Sequence, residues 1–150
     1  MVMSRKRGFT LVEMMAVLML MALIAGAVAF SLGSNLKGVK TKAAVRDLTA
    51  AMRYTRGLAI IKHEPRWLEI DVEARTYQAP GRALVEMPDD LEMKLLTAAS
   101  EQTGSGKGLI RFFPDGSSSG GRVTLKRGDH EWRVEIAWLT GEVRMEEGRL

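Results

Sequence analysis

The sequence predicts an α+β fold, in which one long N-terminal helix packs on a C-terminal antiparallel β-sheet domain. Three observations lead to this prediction: an apolar run at residues 9–30, an amphipathic helical pattern at residues 41–63, and short alternating segments after Pro65. The change from a period of 3.6 residues to a period of two separates the helix from the strands. A chain of 150 residues has room for one folded domain beside the apolar helix.

The apolar run begins directly after a basic cluster. Residues 5–7 are Arg-Lys-Arg, Gly8 follows, and residues 9–30 then contain one charged residue, Glu13. About 20 apolar residues span a bilayer as a helix, and basic residues stay on the cytoplasmic side. The pattern therefore predicts a single-pass membrane helix, with everything after Phe30 outside the cytoplasm.

Glu13 is unusual in such a helix. A carboxylate deep in a membrane helix costs about 3 kcal/mol, although one near the end is tolerable. No Lys, Arg or His follows Gly8 within reach on the same helix. If the chain were cut after Gly8, Phe9 would carry a new amino group. The amino terminus of a neighbouring copy could then neutralise Glu13.

Two simpler interpretations of this stretch remain open. An ordinary signal peptide also has a basic start and an apolar core, and the Ala-Val-Ala sequence at residues 27–29 could serve as its cleavage site. A plain uncleaved anchor would explain the length of the run. Glu13 fits poorly in a signal-peptide core, and an anchor leaves it unexplained.

Residues 5–13 resemble the class III signal of type IV prepilins and type II secretion pseudopilins. The shared features are the basic residues, Gly8, the sequence Phe-Thr-Leu-Val-Glu at residues 9–13, and the apolar helix that follows. The resemblance implies a pilin-like fold. It also implies that a prepilin peptidase/N-methyltransferase of the inner membrane cleaves after Gly8 and methylates Phe9, and that Glu13 guides each subunit into a helical filament.

The helix is predicted to continue as an amphipathic segment until Pro65 ends it. Its apolar stripe, predicted to pack on a sheet, consists of Ala44, Val45, Leu48, Ala51, Met52, Thr55, Leu58 and Ala59. Arg46, Thr49, Arg53 and Arg56 fall on the opposite face.

Six or seven short strands are predicted after Pro65. They lie near residues 67–72, 75–79, 91–95, 109–113, 122–126, 131–138 and 143–145, and residues 100–108 read as a Gly- and Ser-rich loop. In the clearest strand, Trp132, Val134, Ile136 and Trp138 are predicted to face the core. Glu131, Arg133, Glu135 and Ala137 are predicted to face the other way.

Segments later in the chain narrow this resemblance to one subgroup, the H-type minor pseudopilins. These segments are residues 53–60 before Pro65, residues 87–91, and the Phe-Pro-Asp-Gly-Ser turn at residues 113–117 before Gly-Gly at 120–121. The resemblance implies a subunit of the pseudopilus tip that drives export of folded proteins across the outer membrane. It implies as partners the major G-type and the minor I-, J- and K-type pseudopilins. The alternative is a minor pilin that primes a type IV pilus for twitching or DNA uptake.

Composition excludes several other classes of protein. Removal of residues 1–8 lowers the formal net charge from +4 to +1, so the high pI belongs largely to the leader and does not predict nucleic acid binding. The chain contains no cysteine, which excludes a disulfide scaffold and thiol chemistry.

No catalytic or metal-binding pattern is found, and no cofactor is predicted. Residues 104–108 lack the P-loop spacing, the serines at 117–119 lack a nucleophile context, and the two histidines lack zinc-ligand spacing. The acidic group at Glu86, Asp89, Asp90 and Glu92 could hold calcium, but solvated loop charges are the simpler interpretation. A membrane-anchored periplasmic enzyme is therefore disfavoured.

These patterns divide the chain into four parts. Residues 1–8 are a leader peptide, residues 9–30 a transmembrane and assembly helix, residues 31–63 its amphipathic continuation, and residues 64–150 a periplasmic β domain.

Overall fold

The computed structural model describes residues 10–104 and 106–149, without the side chains of residues 29–37, 103 and 149. Helix α1 extends over Leu11–Lys62. The chain divides into two compact units between Val39 and Lys40. The second unit contains the C-terminal part of α1 and all the strands described below.

Two antiparallel sheets follow α1, which confirms the predicted α+β class. Within the described residues the strands are β1 (Arg66–Asp71), β2 (Thr76–Gln78), β3 (Val85–Glu86), β4 (Glu92–Leu96), β5 (Gln102–Gly104), β6 (Lys107–Phe112), β7 (Gly121–Arg127), β8 (His130–Ile136) and β9 (Val143–Arg149). The first sheet has the order β3-β2-β1-β6-β5, and the second has the order β4-β7-β8-β9.

The core of the second unit lies between α1 and both sheets. From α1, Val45, Leu48, Met52 and Ala59 are fully buried, and all four belong to the predicted apolar stripe. They form one cluster with Leu68, Ile110 and Phe112 of the first sheet and Val123, Leu125 and Val134 of the second. Burial of apolar surface contributes about 25 cal/mol per Å², so this cluster is the main source of stability for the sheets.

Helix α1 ends at Lys62, shortly before Pro65, as predicted from the sequence. His63 adopts a left-handed conformation with φ of 54°. The backbone N–H of Glu64 donates to the carbonyl of Ala59, and that of His63 donates to the carbonyl of Ile60. This pair of bonds is a Schellman motif, which satisfies carbonyls that the helix end would leave free.

Several polar side chains of α1 make hydrogen bonds or ion pairs within the second unit. Thr49 is buried and donates its hydroxyl to the carbonyl of Val45 at 2.8 Å. Arg53 donates to the carbonyl of Val143 at 3.0 Å, and Arg56 donates to the carbonyl of Gly116 at 3.0 Å. Lys42 pairs with Glu147 at 2.6 Å. Val143 and Glu147 belong to β9, an edge strand of the second sheet among the described residues, so the contacts of Arg53 and Lys42 place the helix beside that edge.

Residues 100–108 were predicted as one loop, and this prediction is wrong. A short 3-10 helix occupies Ala99–Glu101, and β5 and β6 then pair as a hairpin. Gly108 is buried in β6, where an added Cβ would come within 2.7 Å of Leu95. Gly108 therefore leaves room for the side chain of Leu95. The two-residue strand β3 was also missed, because two residues carry no detectable alternation.

Trp138 was predicted to continue the core face of β8, and this prediction is wrong. Trp132, Val134 and Ile136 are buried as predicted, but β8 ends at Ile136 and Trp138 is 68% exposed. The backbone N–H of Gly141 donates to the carbonyl of Ala137 at 2.8 Å, and this bond closes a turn. The alternation of buried and exposed side chains ends at Ile136 because the chain reverses its direction in this turn.

Glu131 was predicted to lie on the outward face of β8, but its exposed fraction is only 5%. Lys126 of the neighbouring strand pairs with it at 2.8 Å, and Arg133 of the same strand also pairs with it. The hydrogen bond from Lys126, followed by that from Arg133, lowers the pKa of Glu131 below its ordinary value. Two cations thus compensate a carboxylate that the alternation pattern places in solvent.

Replacement of Gly141 by alanine should destabilise the second unit strongly. Gly141 has φ of 63°, and an added Cβ would come within 2.2 Å of the carbonyl oxygen of Gly116. Gly128 is the matched control, because its φ is 54° but nothing lies within 4 Å of an added Cβ. We expect Gly128→Ala to cost about 1 kcal/mol from backbone strain alone. Gly141→Ala should cost at least twice as much in denaturant unfolding of the detergent-solubilised protein, and equal losses would contradict the described packing.

The ion pairs of Glu131 predict a dependence of stability on pH. Because the folded-state pKa lies below the ordinary value of 4.5, the stabilisation is complete above that pH and is lost as the pH falls through the folded-state pKa. Glu131→Gln should therefore lower the free energy of unfolding most at neutral pH, and the difference from wild type should shrink below pH 4.5. Glu135→Gln is the control, since Glu135 pairs with Arg122 but is more exposed. A larger effect of Glu135→Gln would contradict this account.

Candidate functional site

Of the three predicted site residues, Glu13 lies within the described part of the chain. Gly8 and Phe9 lie outside the described residues. Glu13 occupies the first turn of α1 and is exposed. A negative charge is favourable there, because the N-terminus of a helix carries a partial positive charge.

Thr10 caps the N-terminus of α1. Its hydroxyl oxygen accepts a hydrogen bond from the backbone N–H of Glu13 at 3.3 Å, and its carbonyl accepts from Glu13 and Met14. The spacing Thr-x-x-Glu is that of a capping box, in which the threonine satisfies an N–H that the helix leaves free. Sequence reasoning missed the role of Thr10, although this spacing was visible. The cap fixes the turn that carries the Glu13 carboxylate.

An apolar surface continues from this turn along α1. The segment Leu11–Val28 is long and apolar enough to cross a membrane, and none of it is buried in the structure. The periodicity of 3.6 residues per turn places Val17, Leu20 and Ile24 on the side of the helix that carries Glu13. One carboxylate therefore lies at the start of a surface that is otherwise uncharged.

The hydroxyls of the three consecutive serines hold a turn together. Ser117 donates to the carboxylate of Asp115 at 2.6 Å, which lowers the pKa of Asp115. Ser118 donates to the carbonyl of Ala137, and Ser119 accepts from the backbone N–H of Arg111. These contacts give the hydroxyls structural roles.

The acidic loop places two of its four carboxylates against arginines. Asp89 lies 3.3 Å from Arg75, and Asp90 lies 2.7 Å from Arg127. Within residues 10–104 and 106–149, no group of three or more His, Asp or Glu side chains is arranged to hold a metal ion.

Arg56 is a further residue whose role sequence reasoning missed. Its Nε donates to the carbonyls of Gly116, at 3.0 Å, and Thr140, at 3.2 Å. These carbonyls belong to two different turns, so one helix side chain holds both. The sequence carries no sign of this contact, because the partners lie 60 and 84 residues away.

Comparison with protein families gives two matches. The family described as the prokaryotic N-terminal methylation motif matches residues 3–29, and the family described as type II transport protein GspH matches residues 44–140. The two matches cover separate parts of the chain, one containing the apolar helix and the other most of the second unit.

A curated relative and two solved structures are consistent with these matches. The type II secretion system protein H of Xanthomonas campestris pv. campestris is 38% identical over 138 residues, covering 92% of this chain and 82% of the relative. The minor pseudopilin EpsH from the type 2 secretion system of Vibrio cholerae has a similar fold, with a TM-score of 0.56 at 13% identity, over 71% of this chain and 96% of EpsH. The type IV minor pilin FimU of Pseudomonas aeruginosa is similar in fold, with a TM-score of 0.51 at 13% identity, over 70% of this chain and 91% of FimU. The length of the GspH match and the identity to the Xanthomonas protein establish the family: the chain belongs to the type II transport protein GspH family.

Proposed function

We propose that this chain is a minor pseudopilin, a structural subunit of the pseudopilus tip that drives export of folded proteins across the outer membrane in type II secretion. The observation that carries the proposal is the exposed apolar segment Leu11–Val28 with a single carboxylate, Glu13, in its first helical turn. Membership of the GspH family supports it. The function is assembly, and no reaction is catalysed.

The proposed first step is processing at the start of the apolar helix. The basic residues 5–7 hold the leader on the cytoplasmic face, and Gly8 offers no side chain to obstruct a peptidase. A prepilin peptidase/N-methyltransferase cleaves after Gly8 and methylates Phe9. The match of the methylation-motif family to residues 3–29 supports this step.

The mature helix then lies in the inner membrane before assembly. The 18 residues of Leu11–Val28 extend about 27 Å as a helix, close to the 30 Å of a bilayer core. Lipid covers the apolar side chains in the single subunit, and neighbouring helices replace lipid in the filament. Because lipid and leucine side chains are equally apolar, burial alone provides little driving force for this exchange.

In this proposal, Glu13 provides the specific interaction between helices that apolar burial does not provide. A carboxylate is unfavourable among lipid chains, and its cost falls when a cation lies beside it. The cationic amino terminus at Phe9 of a neighbouring subunit provides that cation. Thr10 orients the turn that presents Glu13, and the pair fixes how far one helix is displaced along the next.

The proposed partners are the major G-type and the minor I-, J- and K-type pseudopilins, with no nucleic acid. Residues 1–8 form the leader, 9–30 the membrane and assembly helix, 31–63 its continuation and 64–150 a periplasmic β domain. Within the second unit, α1 holds the sheets by its apolar face and by Lys42, Arg53 and Arg56. The domain therefore moves together with this part of the helix when a subunit enters the filament.

Glu13→Leu should weaken assembly while leaving processing intact. The substitution makes the helix more apolar and removes the charge that pairs subunits. We expect normal membrane insertion, a mature N-terminus at methylated Phe9 by mass spectrometry, and loss of both cross-linking to other pseudopilins and export of folded cargo. Glu13→Gln should behave alike, since it keeps the shape of the side chain without its charge, and Met14→Leu should behave as wild type.

Three outcomes would contradict parts of this proposal. Normal cross-linking and export by Glu13→Leu would exclude the assembly role of Glu13. A mature N-terminus at Phe30 would indicate an ordinary signal peptide, cleaved after Ala29, in place of the proposed processing. Loss of twitching or DNA uptake with secretion unaffected would favour the type IV pilus alternative.

A further inference from the structure

The turn between β8 and β9 exposes two large apolar side chains. Trp138 is 68% exposed and Leu139 is 66% exposed. No charged residue occurs in the segment from Ala137 to Gly141, which we call the β8–β9 tip. Exposure of single apolar residues is ordinary, whereas Trp138 and Leu139 are adjacent and together form a small apolar patch at the end of the β8–β9 hairpin.

The backbone of the β8–β9 tip is held firmly. Ser118 donates its hydroxyl to the carbonyl of Ala137 at 3.0 Å and its backbone N–H to the carbonyl of Trp138 at 2.8 Å. Arg56 donates to the carbonyl of Thr140 at 3.2 Å. These bonds fix the backbone from which the side chains of Trp138 and Leu139 extend. Such pre-organisation lowers the entropy cost of binding.

The close packing around Gly141 also indicates that the backbone of the tip is held in place. An added Cβ there would overlap the carbonyl oxygen of Gly116, at 2.2 Å. The tip therefore lies directly against the turn that contains Gly116, and Arg56 bonds both turns. The Cβ of Trp138 lies close to Gly120, but most of the Trp138 and Leu139 side chains remains exposed.

The size of the patch indicates what kind of partner covers it. The two exposed side chains present roughly 300 Å², whereas a stable complex of free proteins buries about 800 Å² on each partner. The patch is too small to hold a soluble partner by itself. It suffices for a partner that another interaction already holds nearby, because tethering raises the effective concentration to about the millimolar range. Subunits joined through their membrane helices meet that condition.

We propose that the β8–β9 tip is an interaction surface that inserts Trp138 and Leu139 into an uncharged apolar recess on the globular domain of the adjacent pseudopilin subunit in the filament. This inference rests on the proposed function, since it needs neighbours held by the helix. It assigns the globular domain a second contact besides that of the helix. Arg56 supports this surface by holding the turn through its hydrogen bonds to the carbonyls of Gly116 and Thr140.

The test uses the full-length protein in cells with an intact secretion system. The photo-cross-linking residue p-benzoylphenylalanine is placed at position 139, at position 96 as a control, and at position 15 as a reporter of helix assembly. Leu96 matches Leu139 because it is also 66% exposed, on edge strand β4. We expect position 139 to give an adduct with another pseudopilin subunit and position 96 to give at least tenfold less. Glu13→Leu should abolish the adducts at positions 139 and 15 together.

Trp138→Ala provides the second measurement. It should leave the melting temperature in detergent within about 2 °C of wild type, because the side chain is exposed, yet it should lower the adduct yield from position 139 about tenfold. Leu96→Ala should change neither quantity. If Trp138→Ala lowered the melting temperature enough for unfolding to explain the lost adduct, the role of Trp138 would be in folding, and the inference would be overturned.

The remaining outcomes separate this inference from the proposed function. Adducts at position 15 without any at position 139 would overturn the inference and leave the proposed function intact. An adduct of position 139 with lipid or with secreted cargo, or one that persists in Glu13→Leu, would also overturn it. Absence of pseudopilin adducts at both positions would contradict the proposed function itself.

Discussion

The packing of one face of α1 against both sheets is the interaction on which the second unit depends. The chain contains no cysteine, so no disulfide supports the sheets. Val45, Leu48 and Met52 are fully buried and join residues of both sheets in one cluster. Without this face, each sheet would expose its apolar side to water, and short strands of two to seven residues would lack stability of their own.

Polar contacts from the same helix decide where the ends of the sheets lie. Arg53 bonds the carbonyl of Val143 at the start of β9, and Arg56 bonds the carbonyls of two turns. A charged donor to a buried or half-buried carbonyl is stronger than a neutral hydrogen bond. The helix thus holds the core through its apolar stripe and orients the loops through its arginines. This connects the packing to the proposed function, because the loops carry the only part of the domain for which we infer a contact with a neighbour.

Much of the fold could be predicted because its signals are local. Pro65 marks the end of α1, and the alternation of Leu68 and Ile70 or of Trp132 and Val134 matches the buried faces. The exposure of Trp138 could not be predicted, because it depends on where a hairpin reverses. The bonds of Arg56 could not be predicted either, because their partners come from distant parts of the chain. The burial of Glu131 was missed because its alternation in β8 places it on the outward face, where Lys126 and Arg133 pair with it. The candidate site was visible at Glu13 as a lone carboxylate in an apolar run. Processing at Gly8 and Phe9 was inferred from resemblance and stays a prediction.

The two units of the chain differ in how their apolar residues are arranged. The first presents an exposed apolar helix with a single carboxylate, Glu13, for which we propose a cation from a neighbouring subunit, and the second is a domain stabilised by its own core. The most direct test of this account is a cryo-EM reconstruction of the assembled filament at a resolution that defines side chains. We predict that the Glu13 carboxylate lies within about 4 Å of the amino terminus of Phe9 from a neighbouring subunit. A carboxylate that faces lipid, or that pairs with the amino terminus of its own chain, would contradict it.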